Sequence, residues 1–182
     1  MANLGADLRA LRKTKGLTLA ELAERLGKSV GWLSQIERGI SKLSSEDIDR
    51  MAGVFDVPPS LLGARQGPNP KEDGKIVRAS DRRMIGERVP GLVEQLLSPD
   101  LTDSFEVIHS TFLPGSERND EIMRPTQELA FLVSGKLKIW LEGEPFLIRK
   151  GDSFRIRGNK YRWANPYSEP AIAVWIISPP VY

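Results

Sequence analysis

The sequence predicts a multidomain α + β protein, a small helical domain followed by an all-β sandwich or barrel. Three observations carry that prediction. Residues 18–39, TLAELAERLGKSVGWLSQIERG, have the pattern of two short helices around a glycine turn. Residues 64–75, ARQGPNPKEDGK, hold two prolines, two glycines and several charges, which no helix or strand tolerates. From Val77 onward the apolar residues recur at period two, punctuated by glycine.

The helical pattern is justified residue by residue. Thr18 and Glu21 make a capping box, with the hydroxyl accepting from a free backbone N–H while the glutamate reaches back. Leu19, Leu22, Ala23 and Leu26 follow at i, i+3, i+4, i+7 on one apolar face. Gly27 ends that helix with a left-handed backbone, and Ser29 caps the next. In the second helix Leu33 and Ile36 share the buried side, whereas Gly31, Ser34, Gln35 and Arg38 fall on the opposite side. Small, amide and cationic side chains presented outward suit the major groove, so the pattern implies a DNA-reading helix-turn-helix.

The same face distributes the expected contacts with double-stranded operator DNA. Gln35 and Ser34 are expected at base edges, Gln35 bonding an adenine in two places. Gly31 lets the backbone approach closely, and Val30 meets a thymine methyl. Thr18, Lys28 and Arg38 are expected on phosphates, and Ser29 joins them at the helix cap. Arg12 and Glu37 read as an internal pair, since phosphate repels a glutamate. So small a motif contacts few bases, so a two-fold homodimer is expected.

Composition narrows the remaining classes. A net charge of +2 leaves phosphate attraction to local placement. The absence of cysteine excludes disulfides and thiolate metal sites and fits a reducing, cytoplasmic setting. The apolar run at 171–177 is too short to span a bilayer, and the N-terminus lacks a signal-peptide layout; no membrane partner is expected.

In the second half, residues 136–157 alternate between turn signals at Gly143-Glu144-Pro145 and Lys150-Gly151-Asp152. Phe105 to Phe112, Leu129 to Val133 and Ala171 to Ile177 are further strands. Leu92 to Leu97 reads as either a short helix or an irregular strand. If flexible, the 64–75 stretch spans about 19 Å root-mean-square and transmits no torque by itself.

Residues 4–63 resemble the Xre/Cro-repressor type of helix-turn-helix family, whose motif runs LGxxLRxLRxxxGLTLxxLAxxLGxSxxxLSQIERG. The chain matches at Leu4, Leu8, Arg9, Leu11, Arg12, Gly16, Leu17, Thr18, Leu22, Ala23 and from Leu33 to Gly39. The resemblance implies a five-helix, lambda-repressor-like domain within 1–63, with helices at 3–15, 18–26, 29–38, 44–55 and 58–62. Leu43 departs from the proline often found there, but Ser44 still caps.

Residues 76–182 resemble the cupins, a double-stranded β-helix or jelly-roll barrel. The family's first motif, G-x5-H-x-H-x4-E-x6-G, has its frame here in Gly115, Glu121, Met123, Glu128 and Gly135. The second begins at Gly151 and Asp152, with Arg157 for proline, and continues as Tyr161-Arg162-Trp163-Ala164-Asn165-Pro166. Its third histidine position falls on Arg162 or on Tyr161, depending on the anchor. The closing WIISPP is similar to the end of helix-turn-helix regulators with cupin sensor domains.

Cupin metals are held by three imidazoles and a carboxylate, and only Glu128 of that set is kept. The one histidine, His109, lies before the motif and reads as an ordinary strand residue. Two carboxylates are few for a hard cation, since calcium takes 6–8 oxygens. No metal, no cofactor and no catalytic residue is therefore expected. What remains is a lumen for a small-molecule effector. Glu121 with Met123, and Glu128 with Ala130 and Leu132, share strand faces and are expected to line it, with Tyr161, Arg162 and Trp163 near the mouth. Carboxylates beside aromatics favour an amine, and an inward Arg162 favours a carboxylate, so an amino-acid-like zwitterion satisfies both.

Overall fold

The computed structural model describes residues 4–62, 71–72, 74–86 and 89–181. Most of the expected linker, 64–70 and 73, lies outside the described residues. Contacts divide the described residues into two compact units, those up to 85 with 98–103, and 86–97 with 104–181.

The first unit carries α1 (Leu4–Thr14), α2 (Leu19–Leu26), α3 (Val30–Glu37), α4 (Ser45–Phe55) and α5 (Pro59–Leu62). Thr18 accepts from Glu21 N–H while the Glu21 carboxylate accepts from Thr18 N–H at 2.8 Å, and Gly27 turns left-handed with φ 64°. Ser29 caps α3 and Ser44 caps α4, the latter in a second capping box with Asp47. Leu8, Leu11, Leu22, Leu33, Met51, Phe55, Leu61 and Leu62 are wholly buried. At about 1.5–3 kcal/mol per buried side chain, this core holds the helices at their angles.

Two further features lock α1 in place. Gly5 lies so close to α3 that a Cβ there would stand 2.4 Å from the Ile36 carbonyl oxygen. Arg12 grips Glu37 with a two-pronged contact, Nε to Oε1 at 2.6 Å and Nη2 to Oε2 at 3.0 Å, and donates to the Leu17 carbonyl. The pair ties α1 to α3, as the charge argument predicts.

Asp7 makes a link the sequence does not announce. Its Oδ2 lies 2.7 Å from Arg83 Nη1, with the side chains 2% and 6% exposed. Its Oδ1 accepts from the Leu101 N–H at 2.8 Å. Arg83 also donates to the carbonyls of Leu61 and Pro99.

Ten strands lie among the described residues: β1 (Arg83–Gly86), β2 (Leu92–Leu96), β3 (Glu106–Phe112), β4 (Glu117–Ile122), β5 (Gln127–Ser134), β6 (Lys136–Leu141), β7 (Glu144–Arg149), β8 (Ser153–Arg157), β9 (Tyr161–Ala164) and β10 (Ala171–Ser178). In the second unit β2 to β10 form a larger sheet in the order β2-β3-β10-β5-β8 and a four-stranded sheet in the order β4-β9-β6-β7. The second unit is thus a double-sheet jelly roll. The ambiguous stretch at Leu92 is a strand, paired antiparallel to β3 from Leu92↔Phe112 to Leu96↔Ile108.

One expected turn is displaced. The β6–β7 hairpin turns at Glu142-Gly143, with φ 50° and 83°, the positive pair a two-residue hairpin needs. Glu144 and Pro145 already belong to β7. A proline is tolerated there because β7 is the sheet's edge strand and needs no donor on its outer side. Gly135, from the cupin-like frame, has a packing reason: at φ 76°, a Cβ would stand 2.5 Å from the Pro170 carbonyl oxygen.

Candidate functional site

Helix α3 buries Leu33 and Ile36 and leaves Val30, Gly31, Gln35 and Arg38 exposed, with Ser34 half-buried. Thr18 and Ser29, the caps of α2 and α3, are exposed beside that face. Glu37 is turned inward onto Arg12, which removes the one acidic side chain of α3 from it. Gln35 Oε1 accepts from Ser41 Oγ at 3.1 Å, so a two-point bond to adenine requires it to release that hydroxyl. Lys28 is less free than expected. Its Nζ lies 2.9 Å from Asp47 Oδ1 and 4.8 Å from the Trp32 ring centre. Hydrogen bonds from Lys28 and Ser44 hold the Asp47 carboxyl below its usual range.

The second unit contains a cavity between its sheets. Its volume is about 40 Å³, and it opens to solvent at a mouth. Leu92, Glu94, Ile108, Phe112, Arg118, Ile122, Arg124, Glu128, Tyr161, Trp163, Trp175, Ile177 and Val181 line it. Aromatic rings fill much of the interior: Phe112 meets Trp163 edge-on at 4.7 Å, and Phe154 meets Trp175 at 5.3 Å.

Glu128 is 1% exposed. Thr126 Oγ1 donates to its Oε1 at 2.7 Å, and the Tyr161 hydroxyl donates to its Oε2 at 3.3 Å. Burial first, and then the Glu128 charge, push the Tyr161 phenol well above its ordinary pKa, while Arg124 acts in the opposite sense. The phenol is therefore a standing donor at neutral pH. Among the described residues no ion pair within 4 Å joins Arg118 or Arg124 to a carboxylate.

The expected ligand set is thus divided. Glu128, Tyr161 and Trp163 stand in the cavity wall. Glu121 and Met123 are exposed, Met123 at 65%, and neither lines it. The correction follows from strand parity: on β4 the inward side chains are Arg118 and Ile122, opposite Trp163 and Tyr161, across a register shift. Counting from Gly115 along the family frame selects the outward set. Arg162 also points away, between the inward Tyr161 and Trp163, and its guanidinium stacks 3.6 Å from the Trp140 ring. Lys138 reaches the same ring at 4.6 Å, so Trp140 on β6 is flanked by two cations of its own chain.

Glu94, Arg118 and Arg124 were missed as cavity residues. The pairing of β2 with β3 and of β4 with β9 gives the direction of Glu94 and Arg118, neither pairing being visible in local periodicity, and Arg124 lies beyond the end of β4, where no strand period applies. Asn165, in the second cupin-like motif, is structural: wholly buried, its Nδ2 donates to the carbonyls of Phe112 and Glu169. His109 lies on β3 opposite Val174, on the face away from the cavity-lining Ile108 and Phe112.

A metal ion does not suit this cavity. Its donor set offers no imidazole, and two guanidinia share the wall with Glu128. Among the described residues no group of three or more histidine, aspartate or glutamate side chains is placed to hold a metal ion.

A reading helix beside a capped turn, joined to a jelly roll with an internal cavity, defines a helix-turn-helix protein with a β-barrel partner domain. Comparison with known families agrees: residues 3–64 match the profile described as helix-turn-helix domain, and residues 108–177 match that of the cupin domain. The chain carries an N-terminal helix-turn-helix domain of the Xre type and a C-terminal cupin domain. It is similar to an uncharacterized HTH-type transcriptional regulator of Mycobacterium tuberculosis, 36% identical over 63 residues, covering 35% of this chain and 45% of that one. It is also similar to the antitoxin PezA of Streptococcus pneumoniae, 33% identical over 94 residues, covering 51% of this chain and 58% of that one. The chain thus spans about half the length of these two relatives. Among solved structures, KdgF from Halomonas superposes with a TM-score of 0.52 at 15% identity, covering 59% of this chain and 96% of that one, a likeness of fold alone. No helix among the described residues is long and apolar enough to cross a membrane.

Proposed function

We propose that this protein is a sequence-specific DNA-binding transcriptional regulator, acting as a repressor, whose cupin cavity takes a small amino-acid-like effector. It works as a homodimer, is not an enzyme, and acts in the cytoplasm. The observation that carries the DNA-binding reading is the face of α3, where Gly31, Gln35 and Arg38 are exposed and Glu37 is withdrawn. Gln35 and Ser34 read base edges, Val30 meets a thymine methyl, and Thr18, Ser29 and Arg38 hold phosphates. Lys28 joins them when it leaves Asp47.

The lining of the cavity supports the effector class. Arg118 and Arg124 supply charge for a carboxylate, and Glu128 for an ammonium, with Tyr161 donating beside it. The cavity has room for about three water molecules, so an amino-acid-sized effector enters by displacing a lining side chain. An effector shifts DNA affinity only by preferring one arrangement of the two heads.

The test uses the full chain and an operator selected from random duplexes. DNA binding should weaken steeply with salt, and Gln35→Ala should relax preference at one base position in each half-site. Amino acids are then screened for a change in operator affinity, which Arg124→Ala and Glu128→Gln should abolish while leaving basal affinity intact. No selected operator would sink the DNA reading. A competing reading has one observation in its favour: the aromatic filling of the barrel suits a domain that only oligomerises or recruits a partner. An operator bound identically with every amino acid tested would decide for it.

A further inference from the structure

The outer face of the large sheet is unusual for a surface facing water. Leu129, Phe131 and Val133 on β5 and Ile176 on β10 are between 41% and 47% exposed. Strand register makes them one patch. Ile176 stands opposite Leu129 on one side and Val107 on the other, and Val174 stands opposite Phe131. The inward residues of the same strands, Ala130, Leu132, Ala173 and Trp175, are buried. Both strands are therefore apolar on both faces, as expected of strands covered on both sides. The neighbouring strand β8 returns to alternation, placing Arg155 beside Leu129 and Ser153 beside Phe131. A contiguous apolar patch with a polar rim marks a protein–protein surface.

We propose that this face is where two copies of the chain meet, the outer faces of their large sheets packing against one another. The inference rests on the dimer reading above and names its surface. Identity of the occupant follows from complementarity and area. An apolar patch complements itself, and two sheets stack in an aligned fashion about 10 Å apart. With the two-fold axis along the strands, β8 of one copy lies over β2 of the other, so the arginine rims stay apart. The apolar strands β5 and β10 have more polar neighbours in β8, β3 and β2, and His109 stands beside Val174. Together these five strands at about 4.8 Å and six residues at about 3.3 Å make a face of roughly 24 by 20 Å, on the order of 500 Å² with its rim. Side-chain relief raises the accessible area toward the roughly 800 Å² per partner of a stable interface. Phe131, at the patch centre, is the anchor.

The test is sedimentation of the full chain across a concentration series, for the wild type and for Phe131→Glu. A charge in place of the central aromatic should weaken self-association by roughly 100-fold or more. Because the chain has no cysteine, single Val133→Cys and Leu147→Cys variants take a spin label cleanly. The Val133 label should report a short distance between subunits and the Leu147 label, on the small sheet, a long one. A wild-type dimer that Phe131→Glu leaves intact, or a short Leu147 distance with a long Val133 one, overturns the surface but not the dimer. A wild type that stays monomeric while bound to its operator overturns the dimer reading and this inference with it. If Phe131→Glu does not fold, the label distances alone decide.

Discussion

Replacing Asp7 by asparagine should destabilise the helical unit by about 3–5 kcal/mol, the usual cost of leaving one member of a buried ion pair alone. Shape is nearly unchanged, so the loss reports the acceptor that the amide no longer offers. In the wild type Oδ2 faces Arg83 at 2.7 Å and Oδ1 takes the Leu101 N–H at 2.8 Å. An amide satisfies one of these and turns its NH₂ on the other, donor against donor. Arg83 keeps the carbonyls of Leu61 and Pro99 but loses its countercharge in a site where it is 6% exposed. With a urea slope near 2 kcal/mol/M, the midpoint of the helical circular-dichroism signal should fall by about 2 M. Asp7→Leu with Arg83→Met should recover most of the loss, because a well-packed apolar pair replaces a buried ion pair at little cost. A second signature concerns pH. Burial, the largest influence, raises the Asp7 carboxyl despite Arg83. A carboxyl that holds its proton more tightly folded than unfolded makes stability fall as pH climbs from its ordinary 3.8 through the raised value. Asp7→Asn should delete that slope. A midpoint within ~0.5 M of wild type would refute the reasoning, since it would mean that Arg83 is not held by this charge.

Gly5→Ala forces a Cβ against a backbone oxygen at 2.4 Å, so α1 and α3 must part; a loss of about 1–3 kcal/mol in urea titration is expected. Thr18→Ala should cost about 1 kcal/mol and Thr18→Ser much less, because the serine hydroxyl still caps α2. The carboxyls of Glu21 and Asp47 are both lowered, chiefly by the hydrogen bonds from Thr18 and Lys28 respectively. Their contribution is complete above the ordinary values of 4.5 and 3.8 and is lost as pH falls below them, so Glu21→Gln with Asp47→Asn should flatten the acid limb of a thermal-midpoint profile. Arg162→Ala should leave effector binding in the cavity unchanged, measured by calorimetry, and cost about 0.5–1 kcal/mol for the lost stack on Trp140.

The helices were legible because their signals are local. Capping at Thr18, Ser29 and Ser44 and the apolar spacing of Leu19, Leu22, Ala23 and Leu26 act within one or two turns, and the helix ends match to within a residue or two. The Arg12–Glu37 pair was legible from charge alone, since an acid on a DNA-facing helix needs an internal reason. The cavity was legible only in part. Tyr161 and Trp163 bracket an outward Arg162 once a strand is granted, but the inward parity of β4 depends on its register with β9, including the shift between Arg118 and Ile122. Glu94 depends on the pairing of β2 with β3 in the same way, and Arg124, between β4 and β5, has no strand period to place it. Asp7 and Leu101, ninety-four positions apart, have no shared signal in the sequence at all.

That separation bears on how the helical unit comes into being. Its last contributors, residues 98–103, follow β2 in the chain. A chain made from its N-terminal end completes all five helices before Arg83 is added and well before Leu101 is, so Asp7 gains its ion-pair partner first and the Leu101 N–H later. The head that reads DNA therefore matures in two stages, a helical core first and a form locked at both Asp7 oxygens after more than half of the chain has been synthesised. A fragment cut within residues 64–75 is arrested at the first stage, with a carboxylate prepared for a counterion it never receives.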